Sequence, residues 1–116
     1  MDSKEIVRIA CKAIDDKKGQ EIRVIEIGKI STIGDYFVIA NGSNPSQVAA
    51  LVEGVEEALA KEGVSPKRIE GVGNSKWVLM DYTDVIVHIF SREDRMFYDL
   101  ERIWRDGGDV TSEFVG

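Results

Sequence analysis

The stretch from Tyr36 to about Lys61 constrains the fold more than any other part of the chain. A nearly all-apolar run, Tyr36-Phe37-Val38-Ile39-Ala40, leads into Asn41-Gly42-Ser43-Asn44-Pro45 and then into a segment of helical period. A strand that is apolar on both of its alternating faces reads as a central strand covered from both sides. Asn44 suits a helix N-cap, and Pro45 suits the first helical position, where its missing N–H costs nothing. Val48, Leu51, Val52, Val55, Ala58 and Leu59 then recur on one stripe to about Lys61, and Gly63 stops the helix. A buried strand feeding an amphipathic helix predicts layers of sheet and helix.

The remaining segments fit that plan. Residues 2–18 read as a helix with Ile6, Val7, Ala10, Cys11 and Ile14 on one stripe, closed by Gly19. Gln20 to Ile27 reads as a strand, with Ile22, Val24 and Glu26 facing away from Arg23, Ile25 and Ile27. Pro66 to Glu70 reads as a short edge strand. Trp77–Tyr82 and Val85–Phe90 read as a hairpin joined by Thr83-Asp84. Ser91 with Asp94 resembles a capping box opening a last helix near 92–105, whose apolar side carries Phe97, Leu100, Ile103 and Trp104. The tail from Asp106 is expected to be irregular. Without repeats or linkers, this predicts one α/β domain, a mixed sheet of about five strands with flanking helices.

Composition excludes several function classes. The single histidine, His88, and single cysteine, Cys11, leave too few nitrogen and sulfur ligands for a zinc site, and one cysteine fits a reducing cytoplasm. No apolar run is long enough to predict a membrane span, and the charged N-terminus does not read as a secretory signal. The net charge is −6, and residues 77–116 hold nine acids against four arginines. That balance repels a phosphate backbone, so no direct DNA binding is expected, and it attracts a basic protein. A merely solvated acidic surface fits the same composition.

Few side chains suggest chemistry. The turn at Gly42-Ser43-Asn44 could cradle a phosphate, but it lacks the lysine of a phosphate-binding loop and is followed by no dinucleotide fingerprint. Magnesium-dependent phosphoryl or nucleotidyl transfer needs convergent carboxylates, and none follows Ser43 before Glu53. His88 stands in an apolar strand with no nucleophile to serve, which favours a structural or interface histidine. Cys11 reads as core. No cofactor and no metal are expected.

The aromatic residues carry more information. Six of nine, Trp77, Tyr82, Phe90, Phe97, Tyr98 and Trp104, fall between residues 77 and 104, interleaved with the acids. Aromatic anchors ringed by charge are the composition of a protein-binding hot spot. Core packing with a solvated rim accounts for them as well. Stacking on nucleic-acid bases is disfavoured by the sign of the neighbouring charge.

The block Gly73-Asn74-Ser75-Lys76-Trp77-Val78-Leu79-Met80-Asp81-Tyr82-Thr83-Asp84-Val85-Ile86-Val87-His88-Ile89-Phe90 resembles the signature of the Iojap-related ribosomal silencing factors. The likeness continues through Tyr98-Asp99-Leu100-Glu101-Arg102-Ile103-Trp104. Upstream it includes Asp15-Asp16-Lys17-Lys18-Gly19 and Asp35-Tyr36-Phe37-Val38-Ile39-Ala40-Asn41-Gly42-Ser43. It spans roughly residues 5–105, the tail after Trp104 matching poorly, and Ser46 stands where the family often has arginine. The resemblance implies a nucleotidyltransferase-like topology without its catalytic carboxylates. It also implies binding to the fourteenth protein of the large ribosomal subunit, which blocks association with the small subunit and represses translation during nutrient limitation.

On this reading the protein is a cytoplasmic, non-enzymatic factor whose contact surface centres on the Trp77–Asp84 hairpin. Trp77 and Tyr82 are the expected anchors, Asp81 and Asp84 the acidic complements, and Met80, His88 and Tyr98 supporting contacts. Trp77 and Tyr82 differ by five positions, so strict alternation sets them on opposite sheet faces. The alternatives are a small nucleotide-binding or nucleotidyltransferase enzyme using Ser43, Glu70 and Asp81, and a homodimer pairing through the aromatic patch in the free state.

Overall fold

The sheet is built around the apolar run. In the computed structural model, which describes residues 1–73, 76–103 and 107–115, β2 (Tyr36–Gly42) is buried along its whole length. It lies between β1 (Gln20–Glu26), antiparallel, and β5 (Val85–Ser91), parallel. The hairpin partner β4 (Trp77–Asp81) and the short edge strand β3 (Arg68–Glu70) continue outward from β5, both antiparallel. The observed order is β3-β4-β5-β2-β1-β6.

Alternation along the strands sorts the core into two faces. Ile22, Val24, Tyr36, Val38, Ala40, Val78, Met80, Val85, Val87 and Ile89 meet the helices α1 (Ser3–Asp16) and α2 (Pro45–Lys61). Ile25, Ile27, Phe37, Ile39, Ile86 and Phe90 face the other way, where Leu100 packs on them. The helix ends follow the sequence. Asp2 caps α1 by accepting from the Glu5 amide at 2.8 Å, and Asn44 caps α2 by accepting from the Gln47 amide at 2.9 Å. Beyond α2, Gly63 takes φ of 76°, a left-handed turn that glycine enters without penalty. Cys11 is buried on the inner stripe of α1, and burial pushes its thiol up to about 12.

Two expectations about the C-terminal third are corrected. The last helix is not continuous: α3 (Arg92–Tyr98) ends at Asp99, whose φ of 48° is left-handed, and α4 (Leu100–Ile103) restarts as one turn. A short polar residue tolerates that conformation, and the break turns Leu100 onto the sheet. Of the expected inner stripe, Trp104 and the side chains of Phe97 and Ile103 lie outside the described residues.

Nor is the tail irregular throughout. Gly108–Asp109 forms β6, an antiparallel partner for Ile25 and Glu26 that raises the sheet to six strands. A 3-10 turn, Thr111–Glu113, follows. Thr111 fastens this segment to β1: its Oγ1 accepts from the Val24 amide at 2.9 Å, while the Val110 amide donates to the Val24 carbonyl at 2.9 Å. A two-residue glycine-containing strand has no alternation to read; only its partner defines it.

Candidate functional site

The face away from α1 and α2 carries an aromatic cluster at one end of β4 and β5. Trp77 is half-buried and pairs across the ladder with Phe90, on which its ring stacks at 5.1 Å with 24° between planes. Tyr98, exposed on α3, approaches the Trp77 ring to 4.8 Å and Phe90 to 6.1 Å. His88 lies buried beside them. Its Nδ1 accepts a hydrogen bond from the Trp77 indole Nε1–H at 3.0 Å, and its ring meets Phe37 edge-on at 4.6 Å. Burial alone lowers the His88 pKa to about 3, so the imidazole is neutral at physiological pH.

The predicted acids belong to the far end of the same hairpin. Asp81 follows Trp77 by four residues, about 13 Å along a strand. Its Oδ1 accepts from the Thr83 amide at 2.8 Å, and its Oδ2 stands 3.5 Å from Arg68 Nε. Thr83 adopts φ of 73° in the turn, which closes with the Tyr82 amide donating to the Val85 carbonyl. The Asp84 side chain is exposed, while its backbone carbonyl accepts from the Asp35 and Tyr36 amides at 2.7 and 3.1 Å. This ties the hairpin tip to the connection entering β2.

Alternation separates the remaining predicted residues. Met80 is 0 % exposed and Tyr82 only 5 %, and both point toward α1 and α2. That burial gives them to the core, so neither presents a surface to a partner. Trp77, His88 and Tyr98 come together; Asp81 and Asp84 share the hairpin at a distance; Met80 and Tyr82 support the strand from behind. Two residues on this face lie outside the expected contact set, although Phe90 is one of the six clustered aromatics. Leu79 is half-buried between Trp77 and Asp81, and Phe90 forms the floor under Trp77. Counting by twos from Trp77 finds Leu79, and the hairpin register finds Phe90.

A third omission is Arg95, on α3. It is 6 % exposed, and its Nη1 donates to the Glu21 carbonyl and to Asn41 Oδ1 at 3.0 Å. The acceptor at Glu21 belongs to an irregularity in β1 between Gln20 and Arg23, where Glu21 takes a left-handed φ of 49°. Arg95 thus satisfies a carbonyl at the bulge and anchors α3 to β1 and β2.

The enzyme alternative finds no assembled site. Ser43 follows β2 at the end of the sheet where Ser91 closes β5, whereas Asp81 closes β4 at the opposite end. Glu70 sits opposite Leu79 on the edge strand, exposed and 3.6 Å from Arg68. Among the described residues, no three carboxylate, histidine or cysteine side chains could share a metal ion. No helix of the described residues is long and apolar enough to cross a membrane.

Comparison with known proteins extends over the same architecture. The family model described as "Ribosomal silencing factor during starvation" matches residues 1–115. A ribosomal silencing factor from Halalkalibacterium halodurans is 36 % identical over 115 residues, covering 99 % of this chain and 98 % of that one. One from Bacillus subtilis is 37 % identical over 106 residues, with 91 % and 90 % covered. A crystal structure of a Chromobacterium violaceum protein superposes with a TM-score of 0.88 at 33 % identity, covering 90 % of this chain and 88 % of that one. With one family model spanning nearly every residue and full-length relatives above a third identical, the chain belongs to the ribosomal silencing factor family.

Proposed function

We propose that this protein binds the large ribosomal subunit through that subunit's fourteenth protein, on the surface that faces the small subunit. It thereby blocks subunit joining sterically and lowers translation when nutrients are short. The family is regulatory and not enzymatic, and the proposed mechanism needs no chemistry, only occupancy of a surface. We take its site of action to be the cytoplasm.

The observation that carries the site is the half-exposed Trp77, held on a strand and stacked on a buried floor. A rigid aromatic that keeps part of its surface accessible loses little conformational freedom on binding. Leu79 and Asp81 continue the same face, and Tyr98 widens it. The proposed surface contacts are therefore Trp77, Tyr98, Asp81 and Asp84, with His88 beneath Trp77 and with Met80 and Tyr82 as packing behind the strand. The acids complement a basic ribosomal protein. In the free state the aromatic patch around Trp77 and Tyr98 offers a surface for pairing of two copies, which mass measured against concentration tests.

The reading is tested by co-sedimenting the protein with isolated large and small subunits, beside a Trp77→Ala variant whose circular dichroism matches the parent. The expected result is binding to the large subunit alone, weakened by at least 2 kcal/mol in the variant, the range of an interface hot spot. Binding to neither subunit overturns the function. Undiminished binding by the folded variant overturns the site.

A further inference from the structure

His88 makes an unequal use of its two nitrogens. The Trp77 indole N–H can only donate, so His88 Nδ1, 3.0 Å away, must accept. A neutral imidazole that accepts at Nδ1 carries its proton on Nε2. That Nε2 is buried and has no hydrogen-bond partner among the described residues. Among the described residues, the rings packed around the imidazole are those of Phe37, Phe90 and Trp77, and it is burial that lowers its pKa. A buried N–H without an acceptor destabilises a fold, and an apolar ring of similar shape would avoid that cost. Packing alone therefore gives no reason for histidine at this position.

The neighbouring contacts supply one. Stacking on Phe90 and contact with Tyr98 set the plane of the Trp77 indole, but a face-to-face contact does not by itself distinguish the two edges of the ring. The N–H···N bond is directional and distinguishes the two edges of the indole. We propose that His88 is a positioning residue, whose Nδ1 locks Trp77 into the half-exposed orientation that the ribosomal partner meets. The stability lost at Nε2 is the cost of that lock. This inference rests on the reading of Trp77 as the anchor and adds the residue that presets it.

Two variants separate positioning from packing. His88→Phe keeps an aromatic ring but has no acceptor. His88→Asn is smaller, yet its Oδ1 can stand where Nδ1 was. The readouts are denaturant stability, affinity for isolated large subunits, and the 15N resonance and solvent exchange of the Trp77 indole N–H. In His88→Phe we expect parental or higher stability, a fast-exchanging indole proton, and affinity roughly 3- to 10-fold weaker, the cost of ordering one large side chain on binding. In His88→Asn we expect lower stability, a protected indole proton and affinity closer to the parent. Affinity that follows stability across the two variants, or a His88→Phe protein that binds like the parent, overturns the inference. Failure of the parent to bind large subunits overturns instead the function on which it rests.

Discussion

Tyr82 and His88 both bury a polar atom that has no partner among the described residues. They differ in what surrounds that atom. Tyr82 is packed against the helices, and burial, reinforced by Glu56, raises its hydroxyl pKa to about 12. Among the described residues its hydroxyl makes no bond that would offset its desolvation. Tyr82→Phe is therefore expected to leave stability unchanged or to raise it by about 1 kcal/mol. Its binding to the large subunit should equal the parent's. Urea denaturation and co-sedimentation check this together, and weakened binding at full stability would return Tyr82 to the contact surface. Sequence alone already set Trp77 and Tyr82 on opposite faces by parity. It could not say which face the helices cover, because both faces of this strand carry apolar residues.

At the scale of elements, the molecule depends on a short segment with little signature of its own. β6 and the turn after it close the outer edge of β1, and Thr111 is the fastening. The same residue donates to Asp109 through both its amide and its hydroxyl, which holds that carboxyl below its ordinary range. Thr111→Val keeps the shape and removes the hydroxyl. We expect a loss of about 1 kcal/mol, a melting temperature lower by roughly 4–8 °C, and faster exchange of the Val24 amide. Unchanged protection at Val24 would show that the tail does not guard this edge. Uncovered edges are pairing templates, so the variant should also self-associate more readily. The break at Asp99 belongs to this scale too. The helical pattern of residues 92–103 continues through it, so the sequence does not mark the break, beyond which Leu100 packs on the sheet.

For the whole molecule, charge and shape act over different ranges. The chain carries a net −6, with nine acids against four arginines in residues 77–116. A field of that sign speeds the approach of a basic surface and is screened by salt. Association with large subunits should slow by about an order of magnitude between roughly 50 and 500 mM monovalent salt at fixed magnesium, while dissociation changes less. Doubling the substitution, Asp81→Asn with Asp84→Asn, should flatten that dependence. Stopped-flow association measured against salt decides the matter: a salt-independent rate would remove the acids from the proposed mechanism.

The sequence by itself determined the layers, the elements up to β5 and the resemblance to the family. Those signals are local: a doubly apolar strand, capped helices, a hairpin of alternating residues and a signature block from Gly73 to Phe90. Each is written in consecutive residues, so each survives without knowledge of its neighbours. The tertiary structure decided what depends on distant partners. It turned Met80 and Tyr82 inward and gathered Trp77, His88, Phe90 and Tyr98. It also sent Arg95 to a bulge 74 residues away and made a strand of Gly108–Asp109. Burial and strand pairing are properties of two segments at once, and no single stretch of sequence carries them.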